Sequence, residues 1–213
     1  MNPEPHLEQR LHVLVEQYRI ERLQPLSYRD TGPIMFTKAG IIELHTATHE
    51  RLDLLLHRVA TVPDDLCHKP ISGFGHASIW KQLKHILTCE EGWIHDLQNT
   101  TFPGWREEDC PTMADLLAAK DRIREATRAY VGDLTEERLN TTLAQRPVDW
   151  GGELRSPAFI LLHVITHTFH HKGQIVAMLR ILGCPAPDTD LQPGVVFVAG
   201  KSHNCARRTP FRE

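Results

Sequence analysis

A chain of 213 residues, 41% hydrophobic and 24% charged, can bury a sizeable core and has the balance of a globular protein. Its net charge of -3 leaves no electrostatic footprint for nucleic acid, and no apolar run is long enough to span a bilayer, so neither nucleic acid nor membrane is expected as a partner. No basic segment followed by an apolar one opens the chain, and its five cysteines form no Cys-x-x-Cys pair, so reduced thiols in a cytoplasmic protein are expected.

Leu7, Leu11, Leu14, Val15 and Tyr18 recur at helical spacing and predict an amphipathic helix over about 4–22, ended by Pro25. Residues 24–38 carry the Pro, Ser, Asp and Gly of a connecting loop, so 1–37 reads as an extension packed on the main body. A second helix is predicted over about 38–62, with Ile41, His45, Thr48, Leu52, Leu55 and Val59 as its inward stripe. His45 and His49 stand at the edge of that stripe. Either can line a pocket, but both read first as partly exposed helix histidines, His49 above all. Pro63 to Gly75 reads as a loop. The next helix, about 77–98, carries Ile79, Leu83, Ile86, Leu87, Glu90, Trp93, Ile94 and Leu97, with His85 beside the stripe. Thr100 to Gly104 breaks the pattern, and Trp105 follows as a loop aromatic.

Thr112 and Asp115 have the spacing of a capping box, with Asp in place of Glu, ahead of a helix over about 113–132. Leu116, Leu117, Ile123, Thr127, Tyr130 and Val131 are its predicted inward residues. A short helical turn near 135–139 follows, and 141–155 reads as a hairpin or irregular loop. Ser156 as N-cap, Pro157 in the first turn and Gly183 past the last apolar residue bound a long helix over about 157–182. Beyond it the chain is rich in Pro and Asp. Val195 to Val198 has the composition of a short strand, and the polar segment from Lys201 to Glu213 that of a disordered tail. His203 and Cys205, within that tail, carry no assigned role. Four long amphipathic helices indicate an all-α four-helix bundle over 38–191, with an N-terminal helix and an irregular tail over 192–213.

The compositional outlier is histidine, with 14 residues. Chance gives about one His-x-x-x-His pair in such a chain, whereas three occur: 45/49, 163/167 and 167/171. Two of them overlap in the last helix, where His163, His167, His170 and His171 share an arc of about 100°. Imidazoles four residues apart can converge on one ion. A third ligand must come from another helix; His85 is the best placed and His45 the second choice. Three neutral imidazoles and an open position describe a catalytic rather than a structural site, of a kind that suits zinc, nickel or iron(II). Spacing leaves open whether 163/167 or 167/171 supplies the pair. Glu90 can act as a nearby acceptor or proton carrier, although a helix-flank glutamate is usually solvated. Gly173, inside a helix, is expected to permit close approach of a neighbour.

The run His167-Thr168-Phe169-His170-His171-Lys172-Gly173-Gln174 resembles the His-x-x-x-His-(Arg/Lys)-Gly-Gln motif of the DinB/YfiT-like superfamily, and His85 with Glu90 and Trp93 resembles its second-helix pattern. The ending Leu182 to Asp190 is similar as well, and the likeness covers about 38–191. Lys172 stands where Arg is usual, and Thr166 where Asn is common. The resemblance implies an antiparallel four-helix bundle, often a homodimer, with a metal site on His85, His167 and His171. Gln174 and His163 then stand near the ligands: Gln174 as a residue orienting His171 or a bound water, His163 as a pocket neighbour or, more readily, a hydrogen-bonded core histidine. His170 reads as a flank neighbour. Members of the superfamily include bacillithiol and mycothiol S-transferases, a thiol-dependent isomerase and metal-dependent hydrolases. The expected function is therefore metal-dependent attack on a small electrophile, with zinc or nickel ahead of iron and a low-molecular-weight thiol as co-substrate. The rival expectation is a non-catalytic, stress-related dimeric bundle that binds metal or ligand.

Overall fold

The computed structural model describes residues 36–106, 108–143 and 155–191. The predicted N-terminal helix, most of the loop over 141–155, and the strand and tail beyond 191 lie outside the described residues. Within them the chain is all helical, with six helices: α1 (Lys38–Val59), α2 (Asp64–His68), α3 (Ile79–Leu97), α4 (Met113–Asp133), α5 (Glu136–Asn140) and α6 (Pro157–Ile181). None is long and apolar enough to cross a membrane. The four long helices lie where the periodicity puts them. The short α2 falls in a stretch that reads as a loop, because five residues cannot display a helical period.

Local chemistry sets the ends. Thr112 and Asp115 form the capping box, each side chain bonded to the other residue's backbone N–H. The Ser156 hydroxyl accepts from the Phe159 N–H, and Pro157 fills the first turn of α6. After α6, Gly183 takes a left-handed φ of 74°, and Cys184 N–H returns to the Leu179 carbonyl at 2.8 Å.

The core has two apolar layers. One joins the C-terminal half of α1 (Leu52, Leu55, Leu56, Val59) to the N-terminal halves of α3 and α4 and the C-terminal half of α6 (Ile175, Met178, Leu179). The other joins Ile41, Ile94, Val131, Ala158 and Leu161 with Leu139 of α5. This sharing of ends fixes the directions: α1 and α6 run one way, α3 and α4 the other. Each helix packs mainly on the two beside it, α1 and α3 both flanking α4 and α6. Because α3 and α4 run in parallel, residues 98–112 must return the full length of α3, 19 residues or roughly 28 Å at 1.5 Å per residue. That crossover carries Trp105, which packs on the first layer.

Between the layers lies a buried polar level: His45, Thr48 and His49 from α1, Glu90 from α3, Thr127 from α4 and Thr168 from α6. Lys120 is also buried, its ammonium held by Asp53 across the α1–α4 seam and by Asp121 at 2.9 Å. Lys172 of α6 is 1% exposed and ties down the segment that follows its helix. Its Nζ donates to the Thr189 carbonyl at 3.0 Å and stands 3.7 Å from the centre of the Phe169 ring. Burial first, then repulsion from Arg51, brings its pKa down to about 8.

Gly173 does not serve close packing. A Cβ built there meets nothing within 4 Å, and the residue is exposed. Gly173→Ala is therefore expected to raise the unfolding free energy by about 1 kcal/mol through helix propensity alone, measured as a higher denaturant midpoint at unchanged slope.

Candidate metal centre

Two groups in the described structure bring three metal-ligating side chains within 4.8 Å of one another and could hold an ion: His85 with His167 and His171, and His45 with His49 and Glu90. The first lies where α3 packs against α6. His167 and His171 project from one face of α6 with ring centres 4.3 Å apart, and His85 meets them from α3 at 4.9 and 4.5 Å. His85 and His167 aim Nε2 at Nε2 across 3.2 Å. Two imidazole nitrogens bound to one ion at about 2.0–2.1 Å with a tetrahedral angle would stand about 3.3 Å apart, so the spacing suits a shared cation.

The supporting contacts fit the same reading. Nδ1 of His171 lies 2.5 Å from Oε1 of Gln82, a buried side chain one turn before His85. An amide oxygen can only accept, so Nδ1 carries the proton and Nε2 keeps its lone pair, the arrangement a metal-bound histidine needs. Gln82 is itself held, its amide donating to the His76 carbonyl at 2.8 Å and to Oε1 of Gln174 at 2.6 Å. Gln174 thus bears on His171 through Gln82, and its own amide donates to His170, whose ring packs edge-on against His171. Burial, followed by the mutual repulsion of neighbouring imidazoles, brings His85 and His167 down to about 4 and His171 to about 3. All three are then neutral near pH 7, and their lone pairs are open to a cation.

Two neighbours were not found from the sequence. Gln82 stands three residues before His85, and that i, i+3 spacing was the available signal. His76, whose ring stacks on His85 at 3.8 Å, sits in a glycine-bearing loop where periodicity says nothing. Cys89 places Sγ 3.4 Å from Nδ1 of His85, and burial pushes this thiol up to about 11, so it stays protonated. His163 is exposed rather than a core histidine. It packs edge-on against Trp93, because its position on α6 looks away from both apolar layers.

The second group overturns three expectations. His45 and His49 are 3% and 1% exposed rather than partly solvated, and Glu90, at 2%, is no flank glutamate. One carboxylate accounts for all three. Glu90 accepts from His45 Nε2 at 2.7 Å, from His49 Nε2 at 3.0 Å and from the Thr127 hydroxyl at 2.8 Å. Burial works against its charge but is outweighed by the bonds from His45 and His49 and by their attraction, which hold its pKa well below the ordinary glutamate range. Nδ1 of each of these histidines is buried without a hydrogen-bond partner among the described residues. A metal-bound imidazole normally passes its other N–H to an acceptor. The first group has such a contact at His171 and this one has none, so the Glu90 group fits a hydrogen-bonded hub better than a cation site.

Removing one partner from a buried ionic cluster costs about 3–5 kcal/mol, and Glu90→Ala is expected to lose that much in chemical denaturation. A depressed carboxyl pKa stabilises the fold above the unfolded value, about 4.3, and the contribution is lost as pH falls below it. The wild type should therefore lose stability as pH falls below about 4.3, and Glu90→Gln should flatten that limb while being weaker at pH 7.

A DinB family model matches residues 35–194. The protein DinB of Bacillus subtilis (strain 168) is 27% identical over 153 residues, covering 64% of this chain and 82% of that protein. A crystal structure of a DinB-like protein from Bacillus cereus superposes with a TM-score of 0.50 at 22% identity, over 70% of this chain and 95% of the other, a likeness of fold. The family match begins just ahead of α1, ends just past the last described residue and takes in both histidine groups: the chain belongs to the DinB family.

Proposed function

We propose that His85, His167 and His171 hold a divalent cation and that the protein is a metal-dependent enzyme acting on small electrophiles, as a thiol S-transferase or a related hydrolase. One observation carries this reading: three neutral imidazoles from two helices come within reach of one ion, with His171 oriented by the buried side-chain amide of Gln82. Zinc or nickel suits such a donor set. Bound there, either would lower the pKa of a water or thiol enough to make it a nucleophile near neutral pH.

The chain's own groups have separable tasks. Gln82 fixes the His171 tautomer, and Gln174 fixes Gln82. The Cys89 thiol and the His76 ring restrict how His85 can turn. A low-molecular-weight thiol is the proposed co-substrate because three neutral donors leave the cation's full charge for an anionic ligand, and a thiolate answers it well.

His167→Ala is expected to lower the metal content of the purified, tag-free protein at least about tenfold, and Gln82→Ala to weaken metal affinity by about 10–100-fold, both read by elemental analysis and competition with a chelator. Unchanged metal in His167→Ala would overturn the ligand assignment. Stoichiometric metal with no turnover on any thiol–electrophile pair would remove the enzymatic reading and leave a metal-binding bundle.

A further inference from the structure

We infer that His76 is a positioning residue for the three-histidine group: its ring holds His85, and its backbone carbonyl holds His171 through Gln82. The inference rests on the metal-site reading above and adds what keeps two of the three imidazoles aimed. These two are oriented by different means. His171 has an in-plane anchor, the Gln82 oxygen at its Nδ1. His85 has no such anchor among the described residues. The Cys89 sulfur stands 3.4 Å from its Nδ1 and 3.6 Å from its Nε2, and a sulfur so nearly equidistant lies in line with neither N–H direction. What meets the flat of the His85 ring is His76, stacked at 3.8 Å with 26° between the planes. A cavity of about 400 Å³ has both rings in its wall, so the stack lies at an open edge of the site and supplies packing that solvent cannot.

The same residue acts from its other end. The His76 carbonyl accepts from the Gln82 amide at 2.8 Å. A carbonyl oxygen only accepts, so the nitrogen of Gln82 must face it, and the oxygen of Gln82 is left for Nδ1 of His171. The segment that carries His76 is well tied. The Ile71 N–H donates to the Ala77 carbonyl at 2.6 Å, Gly73 takes the left-handed turn between them at a φ of 91°, and Ile71 and Phe74 pack on the first apolar layer. Ser78, two residues after His76, is the N-cap of α3, the helix that carries both Gln82 and His85. An imidazole that gives its lone pair to a cation becomes electron-poor, and an aromatic face against it is then favourable. The stack therefore favours the orientation in which His85 aims Nε2 at Nε2 of His167.

The test titrates Co(II), whose visible bands report the atoms bound to it, into the full chain after treatment with a chelator, for the wild type, His76→Ala and His76→Phe. Both variants keep the backbone carbonyl, so they isolate the part played by the ring. His76→Ala is expected to bind Co(II) about tenfold more weakly. His76→Phe keeps a flat face without nitrogens and should bind within about twofold of the wild type, with its bands at the wild-type positions. The melting temperatures of the three metal-free proteins should agree, since the ring acts on His85 and not on the core. Wild-type affinity in His76→Ala would overturn the proposal. So would a His76→Phe variant as weak as His76→Ala, or one whose bands shift, since a nitrogen of His76 would then be binding the ion itself. A wild type that takes up no Co(II), or uptake that His167→Ala leaves unchanged, would instead remove the metal reading beneath the proposal, so the two fail in distinguishable ways.

Discussion

Glu90 is the constraint around which the bundle is arranged. A carboxylate that is 2% exposed in the middle of four helices is tolerable only if donors meet it from more than one side. His45 and His49 come from α1 and Thr127 from α4, while Glu90 itself belongs to α3. A slip of one turn by any of the three helices would leave a buried charge short of partners. The apolar layers above and below could repack after such a slip, since Leu and Ile are interchangeable in shape to a degree. The carboxylate and its donors could not. The polar level thus selects the register that the hydrophobic layers only favour.

That register is what places His85, His167 and His171. At 100° per residue, His85 and Glu90 are about 140° apart around α3. One face of this helix turns toward α1 and α4, and another toward α6. Gln82 and His85, three residues apart, share the second face and meet His171 and His167 there. The two groups therefore differ in depth and partners for one geometric reason. The Glu90 group lies buried among the helices, where its carboxylate is answered from within the protein. The three-histidine group sits at a seam, partly open, where donors can be left for a ligand.

The long helices and their caps were legible because each is an extended periodic pattern with its own terminal chemistry: the Thr112–Asp115 box, Ser156 with Pro157, and Gly183. His85, His167 and His171 were singled out by the excess of spaced histidines and by the motif around them, and the structure brings these three together. What stayed hidden depends on relations between helices. His49 and Glu90 lie at the margins of their own stripes, and only the arrival of α4 and the opposite helix buries them. Gln82 carries only the signal of its spacing from His85, and its role shows when the helix bearing His171 is set against it. Gly173 misled in the other direction, since a glycine in a helix suggests close packing whether or not a neighbour is there.

The topology also separates the three-histidine group from the loop beside it. With α3 and α4 parallel, the chain must travel back along the bundle between them, and 98–112 does so. Trp105 and Arg106 ride on this crossover, and the Lys84 ammonium of α3 fastens it at the cavity that borders His85. The imidazoles, by contrast, project from helices whose positions are fixed by two apolar layers and the polar level between them. The crossover itself reaches the first apolar layer through Trp105 and Cys110, while the three histidines stand on α3 and α6. A side-chain group anchored in helices and a cavity wall carried on a loop can then vary separately in this scaffold. The bundle with its histidines can stay constant while the crossover, and with it the wall of the neighbouring cavity, changes.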